Sequence, residues 1–283
     1  MAIESLDILG IGNAILDVQA RAEDADLLRL GMTKGTMRLI GTEEAEGLYA
    51  AMGPGVESSG GSAANTCAAA GALGAKVGFL GKVADDELGH MFRHDITAAG
   101  VHFPTPPLAG GAPTARCLIL VTPDGQRTMN TYLGACVTFG PDDLDADAIR
   151  AAQITYLEGY LFDPPHAQEA FRQAARIAHD AGRKVAITLS DPFCVERHRD
   201  AFLDFIRNEA DIVFANEHEI LTLYRTDSFD EAAVAVQGHI GLAALTRSEQ
   251  GSVLLSGGER HAIGIVPTRV VDTTGAGDAY AAG

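Results

Sequence analysis

Near the carboxyl end, Val270-Val271-Asp272-Thr273-Thr274-Gly275-Ala276-Gly277-Asp278-Ala279-Tyr280 passes from an apolar strand into small residues. Glycines at 275 and 277 let backbone N–H groups converge on an anion, and a helix starting near Ala276 adds its positive end to the same point. Asp278 then stands one turn inside that helix, a carboxylate beside a phosphate-sized hole. This pairing suits phosphoryl transfer: the amides of Gly275, Ala276 and Gly277 take up charge on the phosphoryl oxygens while Asp278 orients and deprotonates an attacking hydroxyl. The same letters also fit a plain glycine-rich turn with Asp278 as a solvated first-turn acid.

Three more groups of polar residues follow predicted strands. Asn13 and Asp17 come at and beyond the end of Ile8-Leu9-Gly10-Ile11, where open α/β sheets present ligand contacts; a turn-former or a cap is the other reading of each. Gly60-Gly61-Ser62-Ala63-Ala64-Asn65 opens an alanine-rich helix, with glycines that let a ligand approach the backbone and Asn65 as a hydroxyl-binding candidate. Asn216 and Glu219 share a helix face after Asp211-Ile212-Val213-Phe214-Ala215, and an amide with a carboxylate suits a water-coordinated Mg²⁺ beside phosphates. The alternative makes Asn216 a helix cap and Glu219 a first-turn acid.

The elements that must hold these groups alternate. Strands are predicted at Ser5 to Gly12, Lys76 to Val83, Gln153 to Gly159, Lys184 to Leu189, Asp211 to Ala215, Gly241 to Thr246 and Gly251 to Leu255. Between them, helical spacing runs from Thr42, a plausible N-cap, through Leu88, Met91, Phe92 and Ile96, over Pro165 to Asp180, and over Arg199 to Arg207. That alternation predicts a mostly parallel sheet with helices on both faces. Ala115 to Val121 and Arg127 to Asn130, around Asp124-Gly125, read as a hairpin. With a strand at Gly35 to Ile40 it would form a small lid sheet, drawn from 14-50 and 105-132.

With 283 residues, 47% hydrophobic and 21% charged, the chain can bury a sizeable core. Its 38 acids against 21 Lys and Arg give a net charge of -17, which argues against nonspecific nucleic-acid binding and against anionic membranes. Four scattered cysteines indicate neither a zinc module nor a disulfide framework, and the expected compartment is the cytoplasm. A dinucleotide fingerprint is missing after the first strand, and the 275-278 loop has no Walker lysine.

Two long motifs together carry a resemblance. Gly60-Gly61-Ser62-Ala63-Ala64-Asn65 with Gly78-Phe79-Leu80-Gly81-Lys82-Val83-Ala84-Asp85-Asp86-Glu87-Leu88-Gly89, and later Asp272-Thr273-Thr274-Gly275-Ala276-Gly277-Asp278-Ala279, resemble the two signatures of the ribokinase-like (PfkB) carbohydrate and nucleoside kinases. The resemblance implies transfer of an ATP γ-phosphoryl group to a primary alcohol, with Asp278 as general base. It implies ATP contacts at Asn216, Thr246, Gly251, Thr274, Gly275 and Gly277, and Mg²⁺ support from Asn216 and Glu219; a K⁺ ion near Asp272 and Thr274 is compatible with it.

Within the family the adenosine kinases fit best, through Leu9 to Asp17, Tyr156 to Leu161 and Thr188 to Phe193. Carried over, Asp17 binds the ribose hydroxyls with Asn13, Gly60, Gly61 and Asn65, and Arg127 approaches the reaction centre. The alternative within the family is a sugar kinase acting on ribose or fructose, or a kinase of another nucleoside. The expected protein is a monomer or homodimer acting on a small molecule. Family members usually continue well past the catalytic aspartate, so the expected kinase domain fills 1-283 and is incomplete at its carboxyl end.

Overall fold

The computed structural model describes residues 5–269, 273 and 275–283. The described residues form thirteen strands: β1 (Leu6–Ile11), β2 (Ile15–Arg21), β3 (Met37–Leu39), β4 (Gly55–Gly60), β5 (Val77–Leu80), β6 (Ala115–Val121), β7 (Arg127–Tyr132), β8 (Ala152–Glu158), β9 (Lys184–Thr188), β10 (Ile212–Asn216), β11 (Leu242–Thr246), β12 (Ser252–Ser256) and β13 (Glu259–Ile263). Eight of them form one sheet in the order β13-β12-β11-β10-β9-β8-β1-β5; the other five form a second, β3-β7-β6-β2-β4. In the large sheet β5, β1, β8, β9, β10 and β11 run parallel; β12 pairs antiparallel with β11, and β13 antiparallel with β12. A strand covered on both faces reads as an apolar run, which is why Leu9 and Ile11 of β1 have no exposed surface.

Helices cover both faces: α1 (Asp24–Arg29), α2 (Thr42–Ala51), α3 (Ser62–Ala72), α4 (Glu87–Ala98), α5 (Ala146–Ala151), α6 (Pro165–Asp180), α7 (Pro192–Asn208), α8 (Glu217–Tyr224), α9 (Phe229–Gln237) and α10 (Ala276–Ala282). One face carries α6, whose Ala167, Ala170, Phe171, Ala174, Ala175 and Ala178 form a buried stripe at helical spacing. Against it Phe162 stacks on Phe202 with ring centroids 4.2 Å apart. On the other face Phe79, Phe92 and Phe103 pack together beneath α3 and α4. A third core lies in the small sheet, where Val18, Ala20, Leu118 and Leu120 meet Leu27 of α1 and Ala45 and Leu48 of α2.

Several expectations shift. Thr42 is the first residue of α2 rather than its cap; Gly41 occupies the cap position and makes no side-chain cap bond. The helix predicted from Arg199 is the second half of α7, which begins at Pro192 behind an Asp191 cap and kinks at His198. Proline at the first helical position needs no N–H partner, so Asp191-Pro192, at the end of the predicted Lys184 to Leu189 strand, starts the helix seven residues before Arg199. The small sheet also takes in Gly55–Gly60, outside 14-50 and 105-132. Among the described residues no helix is long and apolar enough to cross a membrane.

Candidate active site

The first wall of the site is built where β1 leaves the large sheet for β2 in the small one. Asn13 sits at that crossing, almost fully buried. Its backbone N–H and its Nδ2 both donate to Glu158 Oε1, at 3.2 and 2.8 Å. Glu158 ends β8, the neighbour of β1, and its Oε2 accepts from the Ala63 backbone N–H in the first turn of α3 at 2.9 Å. The bare Gly12 makes room for this carboxylate, since a Cβ there would come within 2.4 Å of Glu158 Oε2. Burial pushes the Glu158 carboxyl up to about 7, against the pull of its three N–H donors.

The glycine pair before α3 has a similar reason. Gly61 holds a φ of 100°, and a Cβ on it would lie 2.1 Å from the Asn13 carbonyl oxygen. A Cβ on Gly60 would come within 2.6 Å of the Asp17 carboxylate. Asp17, on β2, is pushed up to about 6 by burial; the Arg127 charge opposes that shift and Asp278 adds to it.

Asp278 projects from the first turn of α10 toward α3. Ser62 Oγ donates to its Oδ1 at 2.6 Å and Asn65 Nδ2 to its Oδ2 at 3.2 Å. Burial raises the Asp278 carboxyl above its ordinary range, and both donors counter it. The helix cap is Gly275, at a φ of 68° that favours glycine.

Two cavities meet here. One of about 400 Å³ is bounded by Asp278, the 275–277 backbone, Asn216, Glu219 and Thr246. The other, of about 380 Å³, lies between the sheets and contains Asn13, Asp17, Gly61 and Glu158. Ser62, Met129 and Tyr160 border both. Strand β3 lines the second cavity with Met37, Arg38 and Leu39, and β2 and β7 line it with alternate residues, Ile15 and Asp17, Met129 and Thr131. That is the period of a strand, with one face on the cavity and the other in the third core. A larger hollow of about 700 Å³, between α4 and β4, is lined by Glu57, Asp85, Asp86, Glu87 and Asp95. Such an acidic lining repels phosphates, so we assign the chemistry to the paired cavities.

Not every candidate residue falls on a cavity wall. Gly60 and Arg127 are not among the lining residues; Gly60 backs Asp17, and Arg127 acts on Asp17 through its charge. Gly251 is also off the wall, because its φ of 83° makes the turn into β12 and a Cβ would lie 2.0 Å from the Ile263 carbonyl oxygen. Thr274, and Asp272 beside it, lie outside the described residues.

Asn216 caps α8: its Oδ1 accepts from the Glu219 N–H at 2.9 Å, while its own N–H and Nδ2 donate to the Glu219 carboxylate at 2.9 and 2.6 Å. Among the described residues no three His, Cys, Asp or Glu side chains are grouped to hold a metal ion. The capped pair, facing the cavity with its inner lone pairs used, therefore fits a hydrated Mg²⁺ reached through water rather than a dehydrated one. Burial pushes Glu219 up to about 7.

The sequence reasoning missed Glu158, Ser62, Tyr160, Met37, Leu39 and Phe193 as cavity residues. Glu158 had a signal, since it is an acid at the carboxyl end of a predicted strand, the criterion that singled out Asn13. Ser62 stood within the glycine motif. The apolar residues had none.

Residues 26–283 match the pfkB family carbohydrate kinases. The chain belongs to that family. As a pfkB kinase it is similar to solved structures of an adenosine kinase from Sinorhizobium meliloti, at 55% identity and a TM-score of 0.90 over 99% of this chain and 86% of that one. A probable sugar kinase protein from Rhizobium etli CFN 42 is 52% identical, with a TM-score of 0.91 over the same shares. An ATP-dependent ribose-1-phosphate kinase from Halopiger xanaduensis is 33% identical over 88% of this chain and 79% of its own length. The fold is accordingly ribokinase-like, and the activity is that of a sugar or nucleoside kinase, a class that implies ATP use.

Proposed function

We propose that this kinase transfers the γ-phosphoryl group of MgATP to the 5′-hydroxyl of adenosine, giving AMP and ADP. The observation that carries the choice of a nucleoside is the apolar wall of the cavity between the sheets. Met37, Leu39 and Phe193 are 47%, 56% and 78% exposed, and all three border it. A free pentose or hexose presents hydroxyls all round and would leave these side chains wet. A purine covers them, while its ribose turns toward Asp17 and Asn13.

In this reading the diol is bound by Asp17 and Asn13, for which Gly60 and Gly61 leave room, with Asn65 as a further hydroxyl contact. Arg127 acts at a distance by holding down the Asp17 proton affinity. The 5′-hydroxyl points to Asp278, which is bonded to Ser62 on the wall shared by the two cavities, and gives up its proton to that carboxylate as it attacks in line. Amides of Gly275, Ala276 and Gly277 receive the charge that builds on the transferred group. Thr246 and Asn216 border the space for the nucleotide, to which family likeness adds Thr274. Asn216 and Glu219 would hold Mg²⁺ through water, and the ion would neutralise phosphate charge. Closure of the small sheet over the cavity excludes water from the reaction.

The sugar-kinase reading rests on the likeness to the Rhizobium etli protein and the ribose-1-phosphate kinase, and on the fact that a diol site also suits a free sugar. One experiment separates the two. ADP release is followed with MgATP and adenosine, guanosine, inosine, ribose or fructose, with Asp278→Asn as control. We expect turnover on adenosine and a loss of about 10²–10⁴-fold in the variant. Turnover confined to ribose or fructose would overturn the nucleoside assignment while keeping the kinase.

A further inference from the structure

Asn13 is only 3% exposed, and its carbonyl Oδ1 is a buried acceptor without a partner. A buried amide oxygen left unpaired is costly, so the gap points to a ligand that completes it. The rest of the side chain is committed. Nδ2 donates to Glu158 Oε1, and the backbone N–H reaches the same oxygen. The ionised carboxylate only accepts, so above the value of about 7 to which burial raises Glu158 it orders the amide one way round, nitrogen toward Glu158 and oxygen away. Glu158 in turn cannot swing aside, because Oε2 is tied to the Ala63 N–H and Gly12 packs against it. Its three hydrogen bonds come from two segments, 145 and 95 residues distant in sequence.

We propose that Glu158 is a positioning residue for specificity: by locking Asn13 as an acceptor, it makes the cavity between the sheets demand a hydrogen-bond donor, a substrate hydroxyl, at that point. This rests on the nucleoside reading above and adds a chemical requirement to it. A group of the same size that cannot donate leaves Oδ1 unpaired and is rejected. Glu158 touches no reacting atom, and its influence passes through Asn13.

The test compares binding of adenosine, measured by calorimetry, with that of its 2′-deoxy, 3′-deoxy, 2′-fluoro-2′-deoxy and 3′-fluoro-3′-deoxy analogues. Fluorine keeps approximate size and loses the donor. In the wild type, the fluoro analogue at one of the two positions binds roughly 10- to 100-fold more weakly than adenosine and no better than the deoxy compound. Asn13→Ala reduces that ratio several-fold. Glu158→Met, which removes the carboxylate, reduces it similarly, and adding Glu158→Met to Asn13→Ala changes it by less than about twofold, because residues acting through one another are not additive.

Wild-type binding indifferent to fluorine would overturn the proposal, as would a Glu158→Met effect that persists without Asn13. Should Glu158→Met not fold, an Asn13→Ala ratio equal to the wild-type one overturns it by itself. If adenosine does not bind and a sugar does, the nucleoside reading fails, and the same deoxy and fluoro series on that sugar decides the role of Glu158.

Discussion

Replacing Glu158 by glutamine isolates the cost of keeping a carboxylate in the core. The side chain is 1% exposed, and burial lifts its proton affinity from an ordinary 4.5 to about 7. A group whose folded-state value is raised binds its proton more tightly in the native state. Its stabilisation is therefore complete below about pH 4.5 and is lost as pH rises through 7. The span of about 2.5 units corresponds to roughly 3 kcal/mol at ~1.36 kcal/mol per unit. Glutamine does not titrate. It keeps an oxygen for Asn13 but turns an NH₂ toward the Ala63 N–H, a cost of about 1–3 kcal/mol that is the same at every pH.

The variant should thus be the less stable protein in mild acid, and the gap should close or reverse in mild alkali. At roughly 2–4 °C per kcal/mol, the difference in melting temperature between the two proteins moves by about 6–12 °C in the variant's favour across that range. Thermal unfolding followed by circular dichroism from about pH 4.5 to about pH 8.5 measures it. Asp17 and Asp278 titrate in both proteins and largely cancel in the difference. A difference in melting temperature that stays flat with pH would refute the reasoning, since it would mean that Glu158 is ionised as easily inside the protein as in water.

Ser62→Ala removes the 2.6 Å hydrogen bond that favours the ionised form of Asp278, so its proton affinity rises and the acidic limb of the kcat–pH profile moves to higher pH. Ser62→Thr, which keeps the hydroxyl, should restore the limb; an alanine profile that is merely lower, with the same midpoint, counts against the assignment. Gly61→Ala places a Cβ against the Asn13 carbonyl in a left-handed backbone, and should cost at least about 1–3 kcal/mol in denaturant unfolding together with a raised KM for the hydroxyl-bearing substrate. An unchanged unfolding midpoint would show that the 60–61 turn relaxes freely.

What the sequence made legible follows from where each segment lies. Strands β1, β8, β9, β10 and β11 are covered on both sides and leave short apolar runs, and α6 leaves a stripe at helical spacing. Strand β13 leaves no trace, because all five of its residues are exposed and no alternation is imposed on them. Gly55–Gly60 pairs with β2 through its backbone, so its glycines and serines read as loop although they form a strand. The apolar cavity wall was unreadable for a different reason. Met37, Leu39 and Phe193 look like ordinary core residues, and only the two-sheet arrangement leaves them uncovered.

The polar half of the site divides in the same manner. Asp278, Asp17 and Asn65 could be picked out because each stands close to glycines or a strand end, a local pattern that reflects a local geometric need. Glu158 answers to a tertiary need. Its carboxylate makes sense only once Asn13 and Ala63, from different segments, have been brought to it. The same first turn of α3 that reaches Glu158 through Ala63 reaches Asp278 through Ser62 one residue earlier. Because Ser62 borders both cavities, that turn is their common wall. A displacement of the Asn13–Glu158 cluster would therefore be felt at Asp278 through one turn of helix. In the proposed reaction, binding the sugar hydroxyls and aligning Asp278 would thus be a single packing problem, met by residues 61 to 65.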